Sequence, residues 1–584
     1  MTASTGVVKP RVRPAGLVYA ADEWPPPVHL VLLGAQYAAM SAIYLVLVAI
    51  VLRSAKLSEA ETTALMGIAC VALGIGTLLQ ALHRGPVGSG FLAPPIYSAT
   101  FFAPSVLAVQ AGGMEMVFGM TVVAGAAEML IALLLRRLRI VITSVVSGLS
   151  VFIVGLQLGS LGIGQFLDVQ NELRPSYMRD LSVTLLTLAV PVALSIWGRG
   201  PLKLLCSLCG LIAGLIAAVV AGVIPPSGVD MLAHAPWLAL PQPALMGFKF
   251  DATLLPVFLA GSIAAAVRSV ALVTTLQRLD NAAWQRPDMA NVRKGVLAEG
   301  LSNVVGGLLG AQGMNLGPSL VGIASVTGVA SRAVGYSTAA IMVIMGFVPK
   351  VSAIFLMVPQ QVAGSLLVFT SCFMLAGGME IMLSRRGDVR ATYTVGIATL
   401  LALSGTLYPD YFKHFPPAVS AFIGNPLSFG LATAIVLSLL FRIGTRQHAR
   451  TRWSLAAGGI EEAIAFIRKT GAAKTVDPTN VEAAASEVRA LLERLQADDP
   501  HRHGGDLHLS TDGTDFRVEI ACPAGHDPSA PGGANLSTPP AYAIDTEEAA
   551  VVAGLKTFLE TFAAERKEIV QDKTATRVIL TYGG

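Results

Sequence analysis

The chain has 584 residues, of which 53% are hydrophobic and only 13% charged, and its mean hydropathy is +0.64. A soluble protein carries about 25% charged residues, so lipid solvates most of this chain and a wholly soluble enzyme or binding module is excluded. The net charge of +4 is too small to draw nucleic acid, and five cysteines, odd in number and mostly inside apolar runs, imply no disulfide framework.

Residues 1–28 are polar and proline-rich, with Lys9, Arg11 and Arg13, and read as an N-terminal cytoplasmic segment with no cleavable signal peptide. A helix needs about 20 apolar residues to cross the ~30 Å hydrocarbon core. On that rule spans fall near 29–52, 62–82, 93–110, 114–135, 140–165, 180–198 and 202–224, and again near 252–276, 292–310, 317–328, 333–357, 361–384, 390–407 and 417–441. That gives about fourteen spans, seven in each half, within a transmembrane domain at 29–445. Cys206 and Cys209 lie one helical turn apart on such a span, a spacing that reads as packing.

Two spans are poor helices. The stretch 93–110 carries Pro94, Pro95 and Pro104, and proline removes a helix hydrogen bond and clashes with the preceding turn. The stretch 317–328 is short and opens on Gly317–Pro318. Each is the third span of its half, and each is followed at a similar distance by a V-x-G, Val146-Ser147-Gly148 and Val362-Ala363-Gly364. Seven is odd, so the second copy must be inverted relative to the first. Matched interruptions in two inverted halves point to a binding site near the midplane.

Arginine and lysine set the orientation. They gather after even-numbered spans at Arg84, at Arg136, Arg137 and Arg139, at Arg278, Arg286, Arg293 and Lys294, and at Arg385, Arg386 and Arg390; Arg53 and Lys56 are the main exception. Both termini are therefore expected in the cytoplasm, with the protein in the cell's inner (plasma) membrane. After Arg452 the composition turns polar. Residues 456–584 read as a soluble α+β domain, with helices at 459–470 and 480–496, a hairpin about Asp512–Gly513, a loop at 523–541, a helix near 546–564 and a last strand ATRVILTY.

The chain resembles the nucleobase–ascorbate transporters, the xanthine/uracil permease family, over roughly 25–440. The family signature after the break is [Q/E]-N-x-G-x-x-x-x-T-[G/R/K]; here Ser319-Leu320-Val321-Gly322 is followed at that spacing by Thr327-Gly328. TGVASR (327–332) looks like the xanthine/urate branch, and LLGAQYAAM with Gln36 and SATFFAP (98–104) match further segments. The resemblance implies an all-α polytopic membrane fold of two inverted seven-span repeats forming core and gate domains, plus the C-terminal α+β domain. It implies alternating access, a homodimer, a small-molecule substrate, a proton or sodium as coupling ion and no cofactor.

The departures bear on substrate. Ser319 stands where the family has Gln or Glu, Leu320 where it has Asn, and Tyr37 where it has His; the family's carboxylate of the eighth span falls at about Ala265, with Arg268 and Ser269 one turn later. A guanidinium is always protonated, is costly in a membrane and suits a carboxylate or a delocalised anion such as urate; the alternative is that Arg268 snorkels to the interface. The half-helix starting at Ser319 points a positive dipole end inward. Candidate substrate contacts are therefore Ser319, Arg268, Gln36, Ser269, Thr100, Ala265, Leu320, Gly322 and Thr327, with Ser98 beside Thr100. Tyr37 also reads as packing, Gln312 and Asn315 as caps of the interrupted backbone, and Thr327 and Gly328 as a close helix approach.

Residues 479–582 resemble a degenerate histidine-kinase-like ATPase fold of the anti-sigma-factor kinase type, through TNVEAAASEVRALLERL, the hairpin and IVQDKTATRVILTY. Where that fold has E-x-x-x-N, Glu487 is followed by Leu491; CPAGHD (522–527) replaces the D-x-G-x-G loop, and Gly554-Leu555 is all that matches the glycine box. This argues for a regulatory or protein-binding role without ATP hydrolysis. The reading is a secondary transporter of a purine such as xanthine or urate, or a related anionic compound. The competing readings are an inorganic or carboxylate anion transporter of related fold, and a ligand sensor signalling through its cytoplasmic domain. No nucleophile–base pair or metal-spaced cluster suggests an enzyme.

Overall fold

The computed structural model describes residues 12–583 apart from 98, 139–142, 168–176, 200–205, 225–229, 231, 242–246, 283, 285–287, 384–388, 413, 442–446, 455–457, 475, 477, 499–503, 512–514, 524–557, 561, 563, 565 and 573–574. Ser98, the turn at Asp512–Gly513, Gly554-Leu555, nearly all of the loop at 523–541 and most of the helix expected near 546–564 lie outside the described residues. The chain forms two compact units, Met1–Ser438 and Leu439–Gly584.

In the first unit the first span is two helices, α1 (Pro27–Ala42) and α2 (Leu45–Ser54), interrupted at Ile43 and Tyr44 rather than running straight. Next comes α3 (Glu59–Ala81), started by a capping box in which the Ser58 side chain accepts the Glu61 N–H and Glu61 reaches back to the Ser58 N–H. The third span is not a through-going helix. Its prolines leave Pro95–Tyr97 extended as β1, and only then does α4 (Ala99–Gly112) begin. Helices α5 (Met114–Leu138), α6 (Ser144–Phe166), α7 (Tyr177–Trp197) and α8 (Cys206–Val220) complete the first half.

The second half repeats the plan. It has α9 (Leu255–Asp280), then α10 (Met289–Leu309), capped by Asp288 and stopped by Gly310 in the left-handed conformation, then β2 (Met314–Leu316) and α11 (Pro318–Thr327). After these come α12 (Arg332–Gly346), α13 (Pro349–Leu356), α14 (Gln360–Leu383), α15 (Val389–Leu407), α16 (Pro417–Gly424) and α17 (Pro426–Leu440). Among the described residues seven helices are long and apolar enough to cross a bilayer, or eight if α12 and α13, bent by 83° at their junction, count as one span. The remaining expected spans fall short of that measure, the two interrupted ones among them. Leu130, Leu133, Ile212, Ile216, Ile344 and Leu400 are exposed large apolar side chains on these helices, as a lipid-solvated surface requires.

The inverted repeat is visible in the contacts. β1 and β2 pair antiparallel, Pro95 with Leu316, Ile96 with Asn315 and Tyr97 with Met314. Helix α5 packs on α10 as α12 packs on α3. α6 crosses α14 through Gly148 against Gly378 and Gly162 against Gly364, where a Cβ on any of the four would come within about 3 Å of the facing backbone. The same offset along the chain takes Gly148 to Gly364 and Gly162 to Gly378, so the crossing maps onto itself. Gly148 and Gly364 are the glycines of the two V-x-G sequences, and the motif marks this backbone contact.

In the second unit a five-stranded antiparallel sheet has the order β3 (Gln447–Trp453), β4 (Gly505–Thr511), β5 (Asp515–Pro523), β7 (Ala575–Gly583) and β6 (Arg566–Asp572). Helices α18 (Gly459–Ala473) and α19 (Pro478–Asp498) supply Ile464, Ile467, Val488, Leu491 and Leu492 to a core shared with Leu507, Val518 and Leu580. Strand β3 precedes the expected domain start at 456; its side chains are mostly charged or polar, as suits an edge strand, and hide its pairing from a hydropathy reading. Glu487 is not presented to solvent: its Oε2 accepts the Tyr582 hydroxyl at 2.8 Å and the Ala564 N–H at 3.3 Å. Burial and this carboxylate hold the Tyr582 hydroxyl far above its ordinary pKa, so it stays a donor. The acid that an ATPase of the resembled type would offer to metal and nucleotide here ties α19 to β7.

Candidate substrate site

The β1–β2 crossing fixes the geometry of the site. Two strands meeting antiparallel send α4 and α11 away in opposite directions, so their N-terminal ends meet where the strands cross, with Gly317 N–H donating to Pro94 O at 3.2 Å. Proline at the first helical position loses no hydrogen bond, which is why α11 can start abruptly at Pro318.

Five helices, α4, α5, α9, α10 and α11, and the break between α1 and α2 bring side chains to this point. From α9, Arg268 is 4% exposed and its Nη2 donates to Thr100 Oγ1 at 3.0 Å. Its Nε and Nη1 are buried with no acceptor among the described residues. From α11, Ser319 Oγ lies 3.0 Å from the Tyr44 hydroxyl at the break between α1 and α2. From α10, Glu299 accepts the Leu316 N–H at 2.8 Å, is held by a close hydrogen bond from the Ser269 hydroxyl, and lies beside Asn315. Behind it Asn303 accepts the Met314 N–H at 2.7 Å, and its Nδ2 donates to Met314 O at 3.0 Å and to Glu128 Oε2 of α5 at 2.9 Å. The arrangement offers an anion a preformed guanidinium fork with unused donors and a rim of hydroxyls.

Of the residues expected from sequence, Arg268, Thr100 and Ser319 are brought together. Arg268 does not snorkel; it is buried and turned to the break. Gly322 is exposed, one turn along α11 from Ser319, and a Cβ there would meet nothing within 4 Å. The remaining expected residues have other surroundings. Ala265 and Leu320 have no exposed surface; Leu320 packs with Tyr37, Met40, Ile43 and Ile323, which apolar burial favours over a ligand contact. The Ser269 hydroxyl is spent on Glu299, so it positions that acid. Thr327 donates back to Ile323 O at 2.8 Å and faces Tyr37. Gln36 is half-buried and makes no hydrogen bond among the described residues. Sequence reasoning missed Tyr44, Glu299, Glu128 and Asn303; the two acids were detectable as lone charges inside apolar runs.

A joint closes the far end of α11. Gly328, with φ of +67°, accepts Val18 and Tyr19 N–H at 2.8 and 3.1 Å, and Ala330 N–H donates to Tyr19 O at 2.8 Å. Arg332 pairs with Asp22 and donates to Ala21 O, while Ala21 N–H donates to Asp280 Oδ1 of α9 at 3.0 Å. TGVASR is thus the seam joining the N-terminal segment to the half-helix and to the end of α9.

A family model described as a permease family, the xanthine/uracil permeases, matches residues 28–411. The chain belongs to this family. The permease is 29% identical over 442 residues to the xanthine permease XanQ of Escherichia coli (strain K12), covering 72% of this chain and 93% of that one. It is 25% identical over 406 residues to the uric acid permease PucJ of Bacillus subtilis (strain 168), covering 68% and 88%. The structure of murine Solute Carrier 26 family member A9, an anion transporter in the inward-facing state, is similar with a TM-score of 0.50 at 12% identity, over 75% of this chain and 72% of that one, a likeness of fold alone. The permease is a multi-pass membrane transporter, not an enzyme. The family match ends before the C-terminal unit and does not bear on its ATPase-like resemblance.

Proposed function

We propose that the permease carries a purine of the xanthine or urate class across the cell's inner membrane by alternating access, binding it as an anion at Arg268. One observation carries the reading: a guanidinium buried at the β1–β2 crossing with two nitrogens lacking acceptors. Buried polar groups are paired almost without exception, so the unused donors await a planar acceptor. The Tyr44–Ser319 hydroxyl pair can meet a second edge of the ring, and the exposed face at Gly322 admits it. The names of the relatives XanQ and PucJ support the substrate class. The basic residues after even-numbered spans support cytoplasmic termini. A coupling cation, a homodimer and a regulatory role for the C-terminal unit belong to the same proposal.

Thermal stabilisation of the purified protein tests the substrate class. A ligand that binds only the folded state stabilises by about 2.7 kcal/mol at a hundredfold its Kd. Urate and xanthine are expected to raise Tm, whereas uracil, sulfate and simple carboxylates leave it unchanged. A rise with sulfate or carboxylates alone overturns the purine reading. The sensor reading has its own check. A chain ending at residue 440 is expected to transport at a rate comparable to the full chain; complete loss of transport from a stably folded truncation would favour signalling through the C-terminal unit.

A further inference from the structure

We propose that Glu128 is the residue that takes up the coupling proton, binding it at the carboxylate oxygen Oε1 together with an anionic substrate at Arg268; the inference rests on the function proposed above. Glu128 lies within α5 and has no exposed surface. Its Oε2 accepts from Asn303 Nδ2 at 2.9 Å, whereas Oε1 is buried with no partner among the described residues. A bare carboxylate oxygen at membrane depth is costly. A proton from water removes that cost and needs no further ligand. A hard metal cation needs several oxygens at once, and the oxygen of the amide that bonds Glu128, Asn303 Oδ1, is already held by the Met314 N–H.

The charged groups around Glu128 are few. Helix α10 presents Glu299, a like charge. Helix α9 brings Arg268, whose charge faces Glu299, while toward α5 it offers the Ser262 hydroxyl, which donates to Ala124 O at 2.9 Å. Helix α4 and strand β2 have no titratable side chain, and on α5 itself Glu115 is at the start and Arg136 and Arg137 are near the end. The cluster therefore holds two carboxylates, Glu128 and Glu299, and one guanidinium, which faces Glu299, and an arriving anion adds a second unbalanced negative charge. Protonation of Glu128 cancels it, so proton and anion each favour the other's binding, a coupling that is reciprocal by linkage.

Asn303 transmits the change. Its amide spans Glu128 and both backbone groups of Met314, one residue from the Asn315 that faces Glu299. When Glu128 is neutral its charge-assisted hydrogen bond to Asn303 weakens, and the strand crossing registers the proton. The proton leaves water on one face, bonds to Oε1, and returns to water on the other; no other bond is made or broken.

The test uses the full chain in proteoliposomes with an internal pH dye, following proton entry when urate or xanthine is added outside. The wild type is expected to move protons with substrate. In Glu128→Gln, substrate-linked proton entry disappears and uptake driven by a pH gradient falls at least about tenfold, while exchange of labelled for unlabelled substrate falls far less; Glu128→Asp recovers part of the proton entry. Wild-type proton entry in Glu128→Gln overturns the assignment, as does uptake by the wild type driven by a sodium gradient and not by a proton gradient. Infrared titration needs no substrate: a protonated-carboxyl band present in the wild type and missing in Glu128→Gln is expected, and its absence from the wild type counts against Glu128. If the band is present but no purine exchanges, the proposed substrate fails and the proton site stands.

Discussion

Arg268→Ala is expected to abolish purine transport, with a loss of about a hundredfold or more in binding, since truncating one partner of a buried, hydrogen-bonded charge pair costs about 2–5 kcal/mol. The guanidinium donates to Thr100 at 3.0 Å and keeps two buried nitrogens without acceptors, and it is the positive charge that faces Glu299. Its removal takes away the fork that holds the substrate and leaves an anion facing Glu299 and Glu128. Arg268→Lys keeps the charge and loses the planar pair of donors, so partial rescue of binding is expected with a higher KM. Radiolabelled uptake and the urate-dependent shift in Tm measure both effects. Unchanged urate affinity in a folded Arg268→Ala protein would remove Arg268 from the site.

Gly300→Leu is expected to prevent stable folding. A Cβ at Gly300 would lie 2.8 Å from Gly125 O and 2.9 Å from Met129 N, and one at Gly125 would lie 2.5 Å from Gly300 O. These obstacles are backbone atoms, with Met129 Cγ beside them at 2.8 Å, so relief requires α5 and α10 to separate. Overpacking a tight contact costs about 1–3 kcal/mol even where side chains can move, and here they cannot. The same crossing carries Glu299 next to Gly300 and Glu128 one turn from Gly125, so separation also undoes the Asn303 clamp. Gly164→Ala is the control, because a Cβ at that exposed position meets nothing within 4 Å. Size-exclusion profiles and Tm in detergent separate the two outcomes; a monodisperse Gly300→Leu protein with wild-type Tm would refute the packing argument.

The interruptions were legible because proline and glycine act locally: Pro94, Pro95 and Gly317–Pro318 break helices whatever surrounds them. Arg268 was legible because one charge in an apolar run has few explanations. Glu128 carried the same signal, in AAEMLIALLL, and Glu299 sits in AEGLSN. In both, the acid lies outside the eighth span, where the family's carboxylate falls at about Ala265. Tyr44 was invisible for another reason. Nothing in LVLVAIVLRS or the residues before it announces a break, and the interruption at Ile43–Tyr44 follows from tertiary packing. Which hydroxyl meets which acid depends on how five helices cross, and a linear pattern does not encode that.

The joint at Gly328 sets an order of events during synthesis. Asp22 and Arg332, which it brings together, stand 310 residues apart in sequence. At about 5–20 residues per second the ribosome needs roughly 15–60 s between them. Throughout that interval the backbone groups of residues 18–21 that will meet Gly328, Ala330 and Arg332 are met by water. Closing so long a loop is entropically costly but only weakly dependent on its length, so the delay comes from translation rather than from diffusion. The half-helix that bears Ser319 is therefore fastened at this end only after the whole first half, α9 and α10 have been made, with α12 to α17 still to follow. A nascent chain stalled before residue 328 would hold Arg268 in an inserted helix with the Ser319 side of its site still unanchored.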